Sequence, residues 1–191
     1  MLQSRQTRQA DAEIVARRIL DDVRQRGDRA LAAYARKLDR VDLRTDGFTV
    51  KPAEIREAYR KVTKEFVSAV RVAAKNIRAV ARRQLPAGWI IETRRGVRVS
   101  QIIRPLERVA CYVPGGRFPL PSTVLMSVIP AQVAGVREIV VTSPRPAPAV
   151  MVAADLLGIK KIYRLGGAQA IAAFAFGTAT VPRADKIVGP G

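Results

Sequence analysis

Two glycine-rich turns carry the side chains with the most evident chemical capacity in this chain of 191 residues. Tyr112 precedes the turn Pro114-Gly115-Gly116, and Gln169 follows the turn Gly166-Gly167. A glycine turn between a strand and a helix lets a ligand lie against the main chain, close to the free N–H groups of the helix. An aromatic ring can stack on a nucleotide base, and an amide can donate and accept hydrogen bonds. Tyr112 and Gln169 are therefore the candidate binding residues.

Each of these residues also has a structural explanation. Tyr112 can close a sheet edge instead of stacking on a base, a Pro-Gly-Gly turn is often only a turn, and Gln169 can bond to its own loop. The amide of Gln169 would cost roughly 1–3 kcal/mol if it were buried without partners, so we expect it to face a ligand, a partner or water. A third glycine turn, Gly189-Pro190-Gly191, follows a third strand-like run. Because parallel strands end at one edge of a sheet, we expect Tyr112 and Gln169 to meet across one cleft there.

The first half of the chain has the residue spacing of helices. Apolar residues recur every three or four positions over 11–26, 28–38 and 52–85. Gly27 suits the end of the first helix, and the third stretch divides near Thr63, which can cap a helix. The predicted inward-facing residues of the first two helices are Ile14, Ala16, Ile19, Leu20, Val23, Leu31, Tyr34, Ala35 and Leu38.

Alternating apolar residues predict β-structure from residue 89 onward. A hairpin with a glycine turn is predicted over 89–103, and single strands then alternate with single helices. That alternation indicates a parallel sheet with right-handed crossovers. Ser122 and Thr123 suit the cap of the first helix in this region, and Pro130 should kink or split that helix. The predicted strands are 48–50, 109–113, 138–142, 161–165 and 186–188, and the predicted helices are 122–134, 147–157 and 168–176.

Composition narrows the class of protein. The chain has no histidine, one cysteine and a formal net charge of +18, from 34 Lys and Arg against 16 Asp and Glu. It therefore lacks the commonest general base and metal ligand, and it can form neither an internal disulfide nor a cysteine-based zinc cluster. Charged residues interrupt the N-terminal positions, and no apolar run is long enough to span a membrane. We therefore expect a cytoplasmic protein.

The excess of positive charge would favour nucleic acid, anionic lipid or phosphate-bearing ligands. However, the basic clusters at 82–83 and 94–98 have no interleaved aromatic residues, which argues against a stacking platform for single-stranded nucleic acid. We interpret both clusters, together with Asp155 and Asp185, as solvated surface. Cys111 is interpreted as a small, half-buried hydrophobic residue of a strand.

Four segments of the sequence, taken together, resemble the histidinol dehydrogenase family. They are Cys111-Tyr-Val-Pro-Gly-Gly116, Pro121-Ser-Thr-Val-Leu-Met126, Gly166-Gly-Ala-Gln-Ala-Ile-Ala-Ala173 and Asp185-Lys-Ile-Val-Gly-Pro-Gly191. The resemblance covers only the N-terminal part of that family. It implies an oxidoreductase that converts L-histidinol to L-histidine through the aldehyde while reducing two NAD. It also implies NAD contacts by Tyr112 and Gln169, a zinc ion that holds the substrate, a glutamate–histidine pair that transfers protons, and an intertwined homodimer.

The pattern of helices and strands predicts an α/β fold in two parts. Residues 1–103 are expected to form an N-terminal helical region with a β-hairpin, as part of a discontinuous domain. Residues 104–191 are expected to form an incomplete Rossmann-like parallel sheet flanked by helices, with a partial NAD site.

The resemblance also implies residues that this sequence does not contain. The family's third NAD contact, an asparagine, would come directly after Gly191, and the zinc ligands and proton-transferring pair would come later still. We therefore interpret the chain as the N-terminal segment of such an enzyme and expect it to be inactive alone. A second chain that carries the C-terminal half is one way to complete the site.

One alternative from another class stays open: a basic nucleotide- or nucleic-acid-binding module without catalysis. Salt dependence separates the two hypotheses. Binding to a phosphate backbone weakens steeply as the salt concentration rises, whereas binding in a shaped cofactor pocket responds much less.

Overall fold

The structure, a computed structural model, describes residues 2–115 and 119–190. The first half is helical, as predicted: α1 Leu2–Arg26, α2 Asp28–Tyr34 with a π-helical turn Ala35–Asp39 after it, α3 Leu43–Asp46, α4 Pro52–Arg60 and α5 Lys64–Arg83. Gly27, with a φ of 53°, ends α1 and lets the chain turn into α2. Thr63 caps α5 by accepting a hydrogen bond from the Phe66 N–H at 3.1 Å. Both predicted helix boundaries are confirmed.

The second half alternates strands and helices. Its elements are β1 Trp89–Arg94, β2 Val97–Gln101, β3 Arg108–Tyr112, α6 Pro121–Val133, β4 Glu138–Thr142, α7 Pro148–Leu156, β5 Ile162–Tyr163, α8 Gly167–Phe176 and β6 Lys186–Val188. Strands β1 and β2 form the predicted antiparallel hairpin. Among the described residues, the other four strands form one parallel sheet in the order β5-β4-β3-β6. The predicted α/β fold class is confirmed.

Helices cover both faces of the parallel sheet. Helix α8 lies on one face, with α1 and α2 packed against it, and α6 and α7 lie on the other face, with α5 and α4 packed against them. Strand β3 alternates between the two cores, because Ala110 belongs to the first and Val109 and Cys111 belong to the second. Each core thus combines residues from before and after position 103. The division of the chain at that position stays a prediction.

The predicted strand at 48–50 is a single antiparallel bridge between Thr49 and Tyr163 of β5. The Val50 N–H donates to the Ile162 carbonyl at 2.9 Å, and the Arg164 N–H donates to the Phe48 carbonyl at 2.8 Å. Pairing stops there because β5 is short and the chain enters α4 at Pro52, which has no N–H. The segment covers the edge of the sheet beside β5.

Two residues predicted to face inward are exposed. Ile14 lies outside the core because α1 has 25 residues and α8 has 10, so that the N-terminal part of α1 extends past its neighbour. Leu38 lies in the π-helical turn, whose wider turn changes the direction in which successive side chains point. Pro130 lies within α6 and does not split it, so the alternative of two helices there is wrong. Since proline has no N–H, the α-helical hydrogen bond that this N–H would donate is missing there.

Candidate functional site

The carboxyl ends of three parallel strands meet at one edge of the sheet. Strand β3 ends there at Tyr112, and strands β5 and β6 lead there into the turns Gly166-Gly167 and Gly189-Pro190. Open parallel sheets bind ligands at this edge, because the loops after the strands diverge and leave a crevice. A cleft of about 380 Å³ lies here, lined by Tyr112, Gly167, Ile171, Ile187, Val188, Gly189 and Pro190.

Two of the glycine turns pack on the same proline, the buried Pro144 that follows β4. A Cβ atom at Gly115 would lie 2.5 Å from Pro144 Cγ, and one at Gly166 would lie 2.7 Å from Pro144 Cβ and Cγ. Neither position has room for a side chain, so glycine is required by close approach at both. The prediction that these turns share one edge is confirmed for Gly115, Gly166 and Gly167. Gly116 and Gly191 lie outside the described residues.

Tyr112 connects two of the turns. Its hydroxyl accepts a hydrogen bond from the Gly167 N–H at 3.2 Å, at the start of α8. Its main chain touches the third turn, because a Cβ atom at Gly189 would lie 2.4 Å from the Tyr112 carbonyl oxygen. The ring is partly buried and forms part of the cleft wall. A flat ring in that position suits stacking on an aromatic ligand.

Gln169 lies behind Gly167 and is fully buried. Its Nε2 atom donates to the Asp39 Oδ2 atom at 2.9 Å. Its Oε1 atom finds no hydrogen-bond partner among the residues that the structure describes. A Cβ atom at Gly167 would lie 2.8 Å from that oxygen, so the absence of a side chain there leaves the oxygen adjacent to the cleft wall.

The sequence-based expectations for this pair are therefore met only in part. Tyr112 and Gln169 both contact Gly167, but only Tyr112 lines the cleft. The expected alternatives for the Gln169 amide were a ligand, a partner or water, and its donor end has a partner within the same chain. That end is satisfied by Asp39, which the packing of α2 and its π-helical turn against α8 brings into contact.

Asp39 is a residue of this site that the sequence did not predict. It lies 130 positions from Gln169 and ends the π-helical turn, where an aspartate has no distinguishing sequence signal. Burial raises the pKa of its carboxyl, while the Gln169 amide, the charge of Arg145 and the Gly166 N–H act to lower that pKa. The carboxylate therefore lies at the same sheet edge as the candidate residues.

Other predicted features have structural roles away from the cleft. The cap of α6 is Leu120 rather than Ser122 or Thr123, because Pro121 takes the first helical position, for which proline is preferred. Asp155 is exposed and accepts from the Tyr59 hydroxyl at 2.8 Å. Asp185 is exposed as well.

Asp185 and Cys111 contribute to the sheet itself. The Asp185 carboxylate accepts from the Glu107 N–H at 3.0 Å and the Arg108 N–H at 2.8 Å, which holds the start of β3. Cys111 is fully buried in β3, more than the half-buried position expected for it, and burial raises the pKa of its thiol to about 12.

The described part of the chain offers no group of three or more His, Cys, Asp or Glu side chains that could hold a metal ion. Since the sequence contains no histidine, the residues present do not fit a zinc site of the kind that the family resemblance implies. Within residues 2–115 and 119–190, no helix is long and apolar enough to cross a membrane.

Comparison with known proteins gives one consistent result. The model of the family described as histidinol dehydrogenase matches residues 2–191. The histidinol dehydrogenase of Streptococcus mutans is 46% identical over 184 residues, which are 95% of this chain and 43% of that protein. The one from Rhizobium meliloti is 48% identical over 185 residues, with the same coverage of 95% and 43%.

A solved structure agrees with these relatives. The crystal structure of histidinol dehydrogenase from Elizabethkingia anophelis superposes with a TM-score of 0.87 at 41% identity, and it covers 94% of this chain and 42% of that one. The chain therefore spans about 43% of the length of the curated relatives that it matches.

Proposed function

This chain belongs to the histidinol dehydrogenase family, and on that premise we propose that it supplies part of the NAD site of an enzyme that oxidises L-histidinol to L-histidine. The observation that supports this proposal is the cleft at the carboxyl edge of the parallel sheet. Tyr112 forms its wall, and the unsatisfied Oε1 atom of Gln169 lies directly behind Gly167. Tyr112 and Gln169 are the proposed NAD contacts.

The chemistry of these two residues suits a dinucleotide. The Tyr112 ring offers a face on which a base or the nicotinamide can stack. A buried acceptor without a partner is stabilised by any donor that reaches it, and NAD carries hydroxyl, amino and carboxamide donors. The nearby Arg145 brings positive charge, which favours an anionic pyrophosphate. When bound, NAD supplies the acceptor for the hydride that leaves the alcohol.

The rest of the proposed site lies outside this chain. The zinc ion, its ligands, the third NAD contact and the proton-transferring pair have no counterpart among these residues. We propose that they come from further sequence, in the same polypeptide or in a second chain, and that the complete enzyme is a cytoplasmic homodimer. The 191-residue chain alone should form no NADH from histidinol.

Titration of the 191-residue chain with NAD, followed by saturation-transfer NMR of the ligand, tests the proposed cofactor site. Tyr112→Ala should weaken NAD binding about tenfold, since base–aromatic stacking contributes roughly 1–3 kcal/mol and 1.4 kcal/mol is a factor of ten. Tyr112→Phe should retain most of the affinity because it keeps the ring. Tyr59→Phe is the matched control, because that hydroxyl bonds to Asp155 on the other face of the sheet.

Two results would contradict the proposal. The first is absence of NAD binding by the unsubstituted chain, and the second is equal NAD affinity for Tyr112→Ala and Tyr59→Phe. Tight binding of a duplex oligonucleotide that weakens steeply with salt, without binding of NAD, would favour the basic nucleic-acid-binding module instead.

A further inference from the structure

We propose that Asp39 is a positioning residue that fixes the orientation of the Gln169 amide, so that the dinucleotide cleft is offered a hydrogen-bond acceptor and never a donor. The inference rests on the proposed NAD site and adds the direction of the hydrogen bond that this site can make. Asp39 is not among the residues that line the cleft, and in this proposal it acts on the ligand through Gln169.

The first ground for this inference is the geometry of the Gln169 side chain. Gln169 is fully buried, and its two polar atoms have different surroundings. Nε2 lies 2.9 Å from Asp39 Oδ2, whereas Oε1 lies against Gly167 and has no partner within the described part of the chain. A buried acceptor without a partner is destabilising, so a specific role is expected for it. The oxygen lies against Gly167, a residue of the cleft wall that has no side chain to cover it.

The second ground is chemical. An ionised carboxylate only accepts hydrogen bonds, whereas an amide has one donor end and one acceptor end. Asp39 therefore bonds to the Nε2 end of Gln169, and the Oε1 end is forced to the opposite side, against Gly167. A neutral amide in place of Asp39 could bond to either end and would leave the orientation undetermined. Burial raises the pKa of the Asp39 carboxyl, while the Gln169 amide, the charge of Arg145 and the Gly166 N–H act in favour of its ionised form.

The third ground concerns the ligand. A site that presents a fixed acceptor selects a group that can donate, such as a ribose hydroxyl, an exocyclic amino group or a carboxamide NH2. A ligand with only acceptors at that point leaves the oxygen unsatisfied and gains nothing from it. The chemical class recognised through Gln169 is therefore a hydrogen-bond donor of a dinucleotide.

Variants that exchange the carboxylate of Asp39 and the amide of Gln169 test this inference in the 191-residue chain. Asp39→Asn should weaken NAD binding by about two- to tenfold, because the amide of Gln169 loses its fixed orientation and a hydrogen bond contributes roughly 0.5–1.5 kcal/mol. Gln169→Glu should weaken it similarly, because two carboxyl groups then face each other. The double variant Asp39→Asn/Gln169→Glu should restore binding. In that variant the amide introduced by Asp39→Asn should donate to the carboxylate introduced by Gln169→Glu, whose second oxygen should stay against Gly167.

Asp155→Asn is the matched control, since it neutralises an exposed carboxylate that contacts Tyr59 and not the cleft. A readout without ligand accompanies the titrations. In ¹⁵N–¹H spectra, the Gln169 side-chain NH2 signals should exchange slowly with solvent in the unsubstituted chain and faster in Asp39→Asn. They should also shift as the Asp39 carboxyl titrates, with a midpoint above the ordinary aspartate pKa of about 3.9.

The outcomes separate this inference from the proposed function. Equal NAD affinity in Asp39→Asn and the unsubstituted chain, with loss in Tyr112→Ala, would overturn the role of Asp39 and leave the NAD site intact. A double variant no better than either single variant would overturn it as well. Absence of NAD binding by the unsubstituted chain would overturn both proposals. If Asp39→Asn does not fold, Gln169 NH2 signals that ignore acid titration of the unsubstituted chain would refute the contact.

Discussion

The parallel sheet and the β1–β2 hairpin are built from similar residues and have opposite environments. Val140 and Val141 in β4 are almost completely buried, whereas Ile90 in β1 is 71% exposed and Ile91 is 51% exposed. β-Branched residues favour strands in both places. The parallel sheet is covered by helices on both faces, and every residue of β1 is exposed. The local sequence therefore determines where strands form. Whether a strand is buried depends on the connections that place helices against its sheet.

This difference has an energetic consequence. Burial of apolar side chains is the main favourable term in folding, and an isolated hairpin is at best marginally stable in water. We therefore expect substitutions in the parallel sheet and its helices to change the free energy of unfolding strongly. Equivalent substitutions in the hairpin should change it little. Four comparisons test this contrast, from the largest expected effect to the smallest.

The largest effect is expected for Phe174→Ala. Phe174 is fully buried in α8 and packs edge-to-face on Tyr163 of β5, with ring centroids 5.3 Å apart. Removal of such a ring should lower the free energy of unfolding by about 3–5 kcal/mol, measured by chemical denaturation. Phe176→Ala is the control on the same helix, because that ring is 40% exposed and lies under Arg24. Similar losses for both variants would contradict the description of the core.

The second comparison uses the glycines of the two regions. Gly166→Ala places a Cβ atom 2.7 Å from Pro144 and should cost about 1–3 kcal/mol through overpacking. Gly96→Ala in the hairpin turn meets no atom within 4 Å, but its φ of 80° should cost about 1 kcal/mol. This substitution should destabilise the hairpin alone. Its effect should be measured as faster amide hydrogen exchange in β1 and β2. Unchanged stability in Gly166→Ala would mean that Pro144 moves aside.

The third comparison depends on pH. Glu138 of β4 accepts a hydrogen bond at 2.7 Å from Arg108 of the neighbouring β3, which lowers the pKa of its carboxyl. The ionised form is thus favoured in the folded state, and its stabilisation is present above the ordinary glutamate pKa. That stabilisation disappears as the pH falls through the lowered value.

Glu138→Gln should therefore lose about 0.5–1 kcal/mol at neutral pH and nothing in strong acid. Denaturation curves at several pH values measure this difference. Glu92→Gln in the hairpin, where the carboxylate accepts from the Gly96 N–H, is the control and should lose less. A loss in Glu138→Gln that is independent of pH would exclude the charge as its cause.

The smallest effect is expected for Ile90→Ser, because this side chain already contacts solvent. The free energy of unfolding should change by less than about 0.5 kcal/mol, as for other exposed substitutions. Chemical denaturation at several protein concentrations measures it. A loss above about 1 kcal/mol that grows with concentration would mean that the hairpin is covered by another copy in solution, and the contrast between the two regions would fail.

Most elements of the fold could be predicted from the sequence, because their signals are local. Gly27, Thr63 and the alternation of strands and helices each act within a few residues. The shared edge of the glycine turns also followed, since parallel strands must end together. The exposure of Leu38 could not be foreseen, because a π-helical turn has no clear signature in one sequence.

The sequence predicted some residues of the candidate site, but it did not predict the contacts between them. Tyr112 and the glycines could be placed at the sheet edge from their positions after strands. The contact of Gln169 with Asp39 depends on how α2 packs against α8, and residues 130 positions apart give no pattern in a single sequence. The sequence therefore indicates that Gln169 needs hydrogen-bond partners, and only the folded structure identifies Asp39 as one of them.

The burial of Cys111 gives the chain a built-in chemical reporter. This residue is the chain's only cysteine, and it lies in β3 between β4 and β6. Since only the thiolate reacts with disulfide reagents, and burial raises the thiol pKa to about 12, labelling requires that the sheet open first. The labelling rate thus measures how often the middle of the sheet becomes accessible. Purified protein can be stored without reductant for as long as that opening is rare.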